Sequence, residues 1–207
     1  KQNAFDNIGH EHLEYYSLSS LERLLSRHGL EVFDVELNDI NGGSFRTYIR
    51  HKNAAAGGNR AGSTARLRTL RALERRMGLD RKEIYQAFAR RVRGIRDKLV
   101  SSVKSAVRER KTVYIYGASN RGSTLLQFFK LDRRHIVAAA DRNPMKWGKF
   151  IIGTRIPIVS EEEARRLRPD YFLVLPWAFL REFVDREREY LASGGKFLVP
   201  LPQFRVI

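Results

Sequence analysis

Thr112-Val113-Tyr114-Ile115-Tyr116-Gly117-Ala118-Ser119-Asn120-Arg121-Gly122 joins a run of β-branched and aromatic residues to a short loop that contains two glycines. The run predicts a buried strand, and the residues that continue to Lys130 predict a helix directly after the loop. The next apolar run, 136–140, ends at the acidic Asp141. Strand, glycine turn, helix and a second strand that ends in an acid are typical of a Rossmann-like sheet.

Strands and helices are predicted to alternate from this stretch to the end of the chain. Further strands are predicted over 171–175 and 196–199, with a long loop over 143–157, a helix that starts at Ser160 and another over 178–191. Such alternation indicates parallel strands with right-handed crossovers. We therefore predict an α/β fold, a Rossmann-like parallel sheet with flanking helices, over residues 111–207.

Three regions precede that domain. Residues 1–52 predict a helix, a strand and a hairpin around Asn41-Gly42-Gly43, while 53–62 is a linker of small and polar residues. Residues 63–110 predict two basic helices. The net charge is +16, and the span 60–111 holds 17 basic residues against 5 acidic ones. The charge excess therefore belongs mainly to one helical region.

Composition excludes several classes of protein. There is no cysteine, which rules out disulfides and thiolate metal sites. No apolar run approaches the roughly 20 residues that span a bilayer, and the first residues lack the apolar core of a signal peptide. We expect a cytoplasmic protein with no membrane partner.

The loop after the strand at 112–116 is the first candidate site. Loop amides and the start of a helix are suited to binding an anion. The predicted substrate-binding residues are Tyr116, Gly117, Ala118, Ser119, Arg121, Gly122, Asp141, Asn143 and Lys146. Ser119 replaces the middle glycine of the dinucleotide motif and would crowd a pyrophosphate. Two alternatives stay open: the turn simply needs small residues, and Asp141 starts a turn rather than binding a ribose.

His10-Glu11-His12 is the second candidate site. A metal site needs at least three convergent ligands, and no H-E-x-x-H spacing is present, so we predict no metal here. One imidazole that titrates near neutral pH is enough for a general base. The alternative is a solvated polar loop.

Several segments together resemble the C-terminal part of the S-adenosylmethionine-dependent sugar C-methyltransferases. They occur in the expected order over nearly the whole chain. The segments are 5–18, 28–35, 42–46, 116–119, 141–144, 153–160, 169–171, 175–177, 194–197 and 200–202.

The resemblance implies that residues 1–52 are the tail of a class I methyltransferase domain. It places the S-adenosylmethionine site in that domain, mainly upstream of this chain, and zinc in a domain further upstream, with none in this chain. It assigns His12 as the catalytic base, with Glu11 and His10 beside it. The implied substrate is a nucleotide-linked keto-sugar or a related small carbonyl compound, methylated through an enolate. Gly9 stands where the family often has tyrosine.

The same resemblance implies that this chain works with the upstream domains of its polypeptide and is inactive without them. Two other functions are weighed against it: an NAD(P)-binding oxidoreductase module and a basic nucleic-acid-binding domain. The arginines of 63–110 are spread around their helices rather than interleaved with aromatic residues, which disfavours nucleic acid.

Overall fold

The computed structural model describes residues 2–9, 11–54 and 60–207. His10 and the predicted linker residues 55–59 lie outside them. The chain divides into two compact units: Glu11–Ala89, called the hairpin unit below, and Lys1–His10 with Arg90–Ile207, called the Rossmann unit. The division between the units falls inside a long helix, between Ala89 and Arg90. The domain boundaries predicted at 52, 62 and 110 stay predictions.

The hairpin unit contains α1 (Leu18–Ser26), β1 (Leu30–Asn38), β2 (Ser44–His51), α2 (Arg60–Met77) and the start of α3 (Lys82–Arg108). β1 and β2 pair antiparallel as a two-stranded sheet. The small core of this unit consists of the buried residues Leu18, Val32, Val35, Leu67 and Leu70. Because α2 begins at Arg60, the last residues of the predicted linker belong to this helix.

Contacts between helices and acidic residues hold this small unit together. Glu74 of α2 is buried and accepts the amide N–H groups of Leu18 (2.5 Å) and Ser19 (2.9 Å), so a carboxylate caps the start of α1. Arg71 of the same helix donates to Glu22 of α1 through Nε and Nη2. Part of the basic charge of α2 is therefore paired with an acidic residue of the same unit.

The Rossmann unit holds the remaining elements. These are β3 (Val113–Tyr116), α4 (Asn120–Phe129), β4 (Ala139–Asp141), β5 (Phe150–Ile151), β6 (Ile156–Ser160), α5 (Glu161–Arg166), β7 (Tyr171–Val174), α6 (Leu180–Arg186), α7 (Arg188–Ala192), β8 (Lys196–Val199) and β9 (Arg205–Val206). They build a seven-stranded sheet with the order β5-β6-β4-β3-β7-β8-β9, in which β6, β4, β3, β7 and β8 run parallel. The predicted α/β fold with a Rossmann-like sheet is confirmed.

Both faces of this sheet are buried. Val113 and Ile115 of β3 face the core shared with α3 and α4, which includes Leu99, Val103 and Leu125. Side chains alternate along a strand, so Tyr114 and Tyr116 face the other core. That second core is rich in aromatic residues from β7, β8 and α6, namely Phe172, Phe197 and Phe183. The near-continuous apolar run of β3 follows from this double burial.

Three details differ from the predicted elements. β4 begins at Ala139, because Ile136 to Ala138 lie beside β3 with a few backbone hydrogen bonds before the regular ladder starts. β6 begins inside the predicted loop over 143–157: Ile156 and Pro157 are paired with the two-residue β5. The predicted helix over 178–191 is divided into α6 and α7 at Glu187.

Candidate functional site

The loop between β3 and α4 lies where the sheet order changes direction. β3 is flanked by β4 on one side and β7 on the other, so the loop and the residues after β7 meet at the carboxyl edge of the strands. Gly117 adopts φ +87°, and a Cβ placed there would lie 2.6 Å from Cγ of Pro176. Glycine is therefore required both for the backbone conformation and for the close approach.

Ser119 starts helix α4. Its Oγ accepts the amide N–H of Gly122 at 3.0 Å, as a helix cap does. A Cβ on Gly122 would meet Cδ1 of Leu175 at 2.9 Å, so the second glycine of the motif lets the helix pack on the residues after β7. The serine that replaces the middle glycine of a dinucleotide motif thus has a structural role.

Asp141 organises the other side of the loop. Its Oδ2 accepts the Ala118 amide at 2.9 Å and the Lys146 ammonium at 3.0 Å, and its Oδ1 accepts the Asn143 amide at 2.9 Å. Lys146 also donates to the Ala118 carbonyl at 2.7 Å. Asp141 is buried. The bond to the Asn143 amide forms the turn that the sequence offered as the alternative to a ribose contact.

This arrangement disfavours a nucleotide cofactor at the loop. The Ala118 and Gly122 amides donate to Asp141 and Ser119 rather than facing a ligand. Both carboxylate oxygens of Asp141, the residue considered for a ribose contact, accept hydrogen bonds from within the chain. The loop is therefore a braced turn at the carboxyl edge rather than an open phosphate cradle.

Asp6 and Trp177 complete this edge and were not among the predicted site residues. The Asp6 carboxylate is 2% exposed, and its Oδ2 lies 2.8 Å from Nη2 of Arg121 and accepts the Trp177 indole N–H at 3.0 Å. Two segments of the quoted similarity contain these residues, 5–18 and 175–177. Neither segment carries a local pattern that would pair residues 171 positions apart.

Tyr116 belongs to a different network. It is buried, and its hydroxyl donates to Oε1 of Glu187 at 2.6 Å. Glu187 is 2% exposed and also accepts from Arg165 at 2.5 and 3.0 Å. Burial raises the pKa of Tyr116. Burial opposes ionisation of Glu187, yet the hydrogen bonds from Arg165 and Tyr116 leave the pKa of its carboxyl lowered.

The predicted catalytic residues lie in a contrasting environment. Glu11 and His12 are exposed and belong to the hairpin unit, whereas the loop after β3 belongs to the Rossmann unit. The His12 ring lies 6.3 Å from the ring of Tyr15, and His10 lies outside the described residues. Their assignment as catalytic remains a prediction, as does substrate binding by the nine residues around the loop.

Across residues 2–9, 11–54 and 60–207, no group of three or more histidine, aspartate or glutamate side chains is placed to hold a metal ion. Within the same residues, no helix is both long enough and apolar enough to cross a bilayer.

Comparison with known proteins bears on the whole chain. Residues 39–202 match the family described as the C-methyltransferase C-terminal domain. Over all 207 residues the chain is 40% identical to the C-methyltransferase NovU of Streptomyces niveus. It covers 48% of that relative, so the chain spans about half of the relative's length. With a family match over most of its residues and an identity of this size, the chain belongs to the C-methyltransferase C-terminal domain family.

Proposed function

We propose that this chain is the C-terminal part of a C-methyltransferase that uses S-adenosylmethionine to methylate a nucleotide-linked keto-sugar or a related carbonyl compound. The observation that carries the proposal is the 40% identity to a C-methyltransferase over the entire chain. That similarity includes residues 10–12, which lie upstream of the matched domain at 39–202. The proposal therefore joins the Rossmann unit and the H-E-H segment in one enzyme.

The chemistry that these residues supply is proton removal. In the proposed reaction His12 takes the proton from the carbon next to the ketone onto a ring nitrogen, and the electron pair of the C–H bond becomes an enolate. The enolate carbon is the nucleophile: its new bond to the methyl group would form as the methyl–sulfur bond of S-adenosylmethionine breaks, with the electron pair of that bond leaving on the sulfur of S-adenosylhomocysteine. An imidazole titrates near neutral pH and is therefore a suitable base. Glu11, and His10 on the other side of it, would hold and polarise the imidazole or the substrate.

The missing half of the active site is proposed to lie upstream. The two-stranded sheet of the hairpin unit is small for an independent fold. It leaves large apolar side chains exposed, namely Leu13, Tyr15, Leu37, Ile40 and Ile49. Both facts support the assignment of residues 1–52 as the tail of a larger methyltransferase domain that would bind the methyl donor. The zinc domain is proposed still further upstream.

Substrate binding at the carboxyl edge of the Rossmann unit is part of the same proposal. Lys146 is 38% exposed and is held by Asp141, so a substrate phosphate that approaches this edge would compete with that carboxylate. The cytoplasm is the proposed compartment.

Methyl transfer by the full-length enzyme tests the proposal. In His12→Gln we expect turnover to fall by about two to four orders of magnitude if His12 is the base. His28→Gln is the matched control, because His28 is another exposed histidine of the same unit, and it should keep the turnover of the wild type. Wild-type turnover in His12→Gln would remove the base role from this residue.

The isolated chain provides a second test. Titration of S-adenosylmethionine into residues 1–207 should show no saturable binding in the micromolar range, because the donor site is proposed to lie upstream and the Asp141 carboxylate is bonded to Ala118, Asn143 and Lys146 within the chain. Micromolar affinity would contradict the proposal that the donor site lies upstream.

A further inference from the structure

The segment Gln2–Gly9, which leads into the H-E-H residues, is attached to the Rossmann unit at three points. Asn3 donates to the Pro202 carbonyl at 2.9 Å and accepts from Nε of Arg91 at 3.1 Å. The ring of Phe5 packs edge-on against the rings of two phenylalanines of α4, Phe128 and Phe129, with centroid distances of 5.3 and 6.1 Å. The third point is Asp6.

Asp6 is the attachment that places a charged group in a buried position. Its carboxylate is 2% exposed, and a buried charge is costly unless it is paired. Arg121, in the first turn of α4, lies 2.8 Å from Oδ2, and Trp177, just after β7, donates to the same oxygen. Among the described residues no donor reaches Oδ1. Replacing a buried ion pair with apolar residues is often neutral or stabilising, so a buried aspartate is weak evidence for a role in stability alone.

Both partners of Asp6 lie at the carboxyl edge of the sheet, in the segments that follow β3 and β7, the two strands between which the sheet order changes direction. The carboxylate thus takes the position that an anionic ligand occupies in many Rossmann-like folds. Arg121 and Trp177 approach the same carboxylate oxygen from different elements, and together they fix both the position and the orientation of the Asp6 carboxylate. Only four residues separate Asp6 from Glu11 in the chain.

We propose that Asp6 is a positioning residue for the methyl-transfer site. Its contacts with Arg121 and Trp177 fix the segment Gln2–Gly9 on the Rossmann unit, and the chain enters the H-E-H residues directly from that fixed segment. This inference rests on the proposed function. Asp6 itself touches no reacting atom.

Hydrogen exchange in the chain 1–207 tests the attachment without any catalysis. The amides of Asn7, Ile8 and Gly9 are bonded to carbonyls within the segment, so their exchange rates report its order. In Asp6→Ala we expect these amides to exchange at least about tenfold faster, since a charge-assisted bond is lost. Asp6→Asn, which keeps an acceptor for Trp177, should lie between Asp6→Ala and the wild type. Unchanged exchange in Asp6→Ala overturns the inference.

Turnover of the full-length enzyme tests the positioning role. We expect kcat to fall about 10- to 100-fold in Asp6→Ala, because a small displacement of catalytic groups has effects of that size. The profile of kcat against pH should keep its shape, since His12 remains. Trp177→Phe removes the indole donor. When it is combined with Asp6→Ala, kcat should fall little further, because both substitutions remove the same hydrogen bond between Trp177 and Asp6. Fully additive losses contradict this coupling.

The matched control is Asp132→Ala. Asp132 is another ion-paired aspartate of the Rossmann unit, bound to Arg134 at 2.7 Å and remote in sequence from the segment. An equal loss of kcat in this control overturns the positioning role, and so does wild-type kcat in Asp6→Ala with accelerated exchange. If the wild-type enzyme transfers no methyl group to carbonyl substrates, the proposed function and the positioning role both fail. The exchange rates then still decide whether Asp6 attaches the segment.

Discussion

The loop after β3 and the H-E-H segment differ most in how firmly their side chains are held. At the loop, Asp141 and Ser119 accept the amides that a ligand would otherwise meet, and Lys146 is bound in turn. At the H-E-H segment, Glu11 and His12 are exposed, and Leu13 beside them is 90% exposed. The loop is bonded within this chain, whereas Glu11 and His12 are exposed and would be covered by the proposed upstream domain. The same difference predicts that substitutions at the loop change stability and substitutions at the segment change turnover.

The largest expected effect on stability is at Gly117. Gly117→Ala should lower the free energy of unfolding by about 2–4 kcal/mol, because a positive φ and a close approach to Pro176 are combined. Gly148→Ala is the control: its φ is +73°, but no atom lies within 4 Å of the added Cβ. Its cost should be about 1 kcal/mol. Urea unfolding of both variants measures the difference, and equal costs would contradict the tight contact at Pro176.

Glu187→Gln should have the next largest effect, about 1–2 kcal/mol, because the charge-assisted bonds from Arg165 weaken while an acceptor for Tyr116 remains. Solvent screening reduces the contribution of this ion pair to the free energy of unfolding, since the Arg165 side chain is 40% exposed. Asp185→Asn, which weakens an exposed pair with Arg188, should change stability much less.

The pH dependence of this effect has a definite sign. The pKa of Glu187 is lowered in the folded state from its ordinary value of about 4.5. Its contribution is therefore fully present above about pH 4.5 and is lost as the pH falls through the lower, folded-state pKa. The difference in stability between wild type and Glu187→Gln should be constant from pH 7 to pH 5 and shrink in more acidic solution. A difference that grows on acidification would contradict the assigned direction.

A smaller effect is expected at Glu74, the cap of α1. Glu74→Gln should lower the free energy of unfolding by about 1 kcal/mol, because a neutral acceptor replaces the carboxylate at the helix start. Glu83→Gln is a suitable comparison, since Glu83 lies in the first turn of α3 and is exposed. Equal effects of the two substitutions on urea unfolding would show that the cap contributes nothing specific.

The smallest effect on stability is expected at the H-E-H segment itself. Glu11→Gln and His12→Gln should each change the free energy of unfolding by less than about 0.5 kcal/mol, as is usual for exposed positions. A loss of 2 kcal/mol or more would show that these side chains stabilise the fold, and would weaken the contrast with the loop.

The sequence was informative where local chemistry determines structure. The run 112–116 and the glycines at 117 and 122 predicted β3, the turn and α4, because burial on both faces and close backbone packing leave few other residue types possible. The two-residue strands β5 and β9 are too short to show any periodicity. The start of β6 was assigned to the predicted loop over 143–157.

The site was less accessible to sequence reasoning than the fold. The contact of Asp6 with Trp177 joins residues 171 positions apart in the sequence, and it depends on the pairing of β3 with β7 in the sheet. The bonding of Asp141 to Ala118 is likewise a tertiary fact, whereas its turn with Asn143 was among the alternatives that local sequence offered. Residues that act through distant partners leave no local pattern.

Deuterium incorporation tests the central claim most directly. Full-length enzyme in D2O, given a nucleotide-linked keto-sugar, should exchange the hydrogen next to the ketone, because His12 forms the enolate reversibly. In His12→Gln the exchange rate should fall by about two to four orders of magnitude, while His28→Gln exchanges at the wild-type rate. Wild-type exchange in His12→Gln would contradict the account and place the base elsewhere in the enzyme.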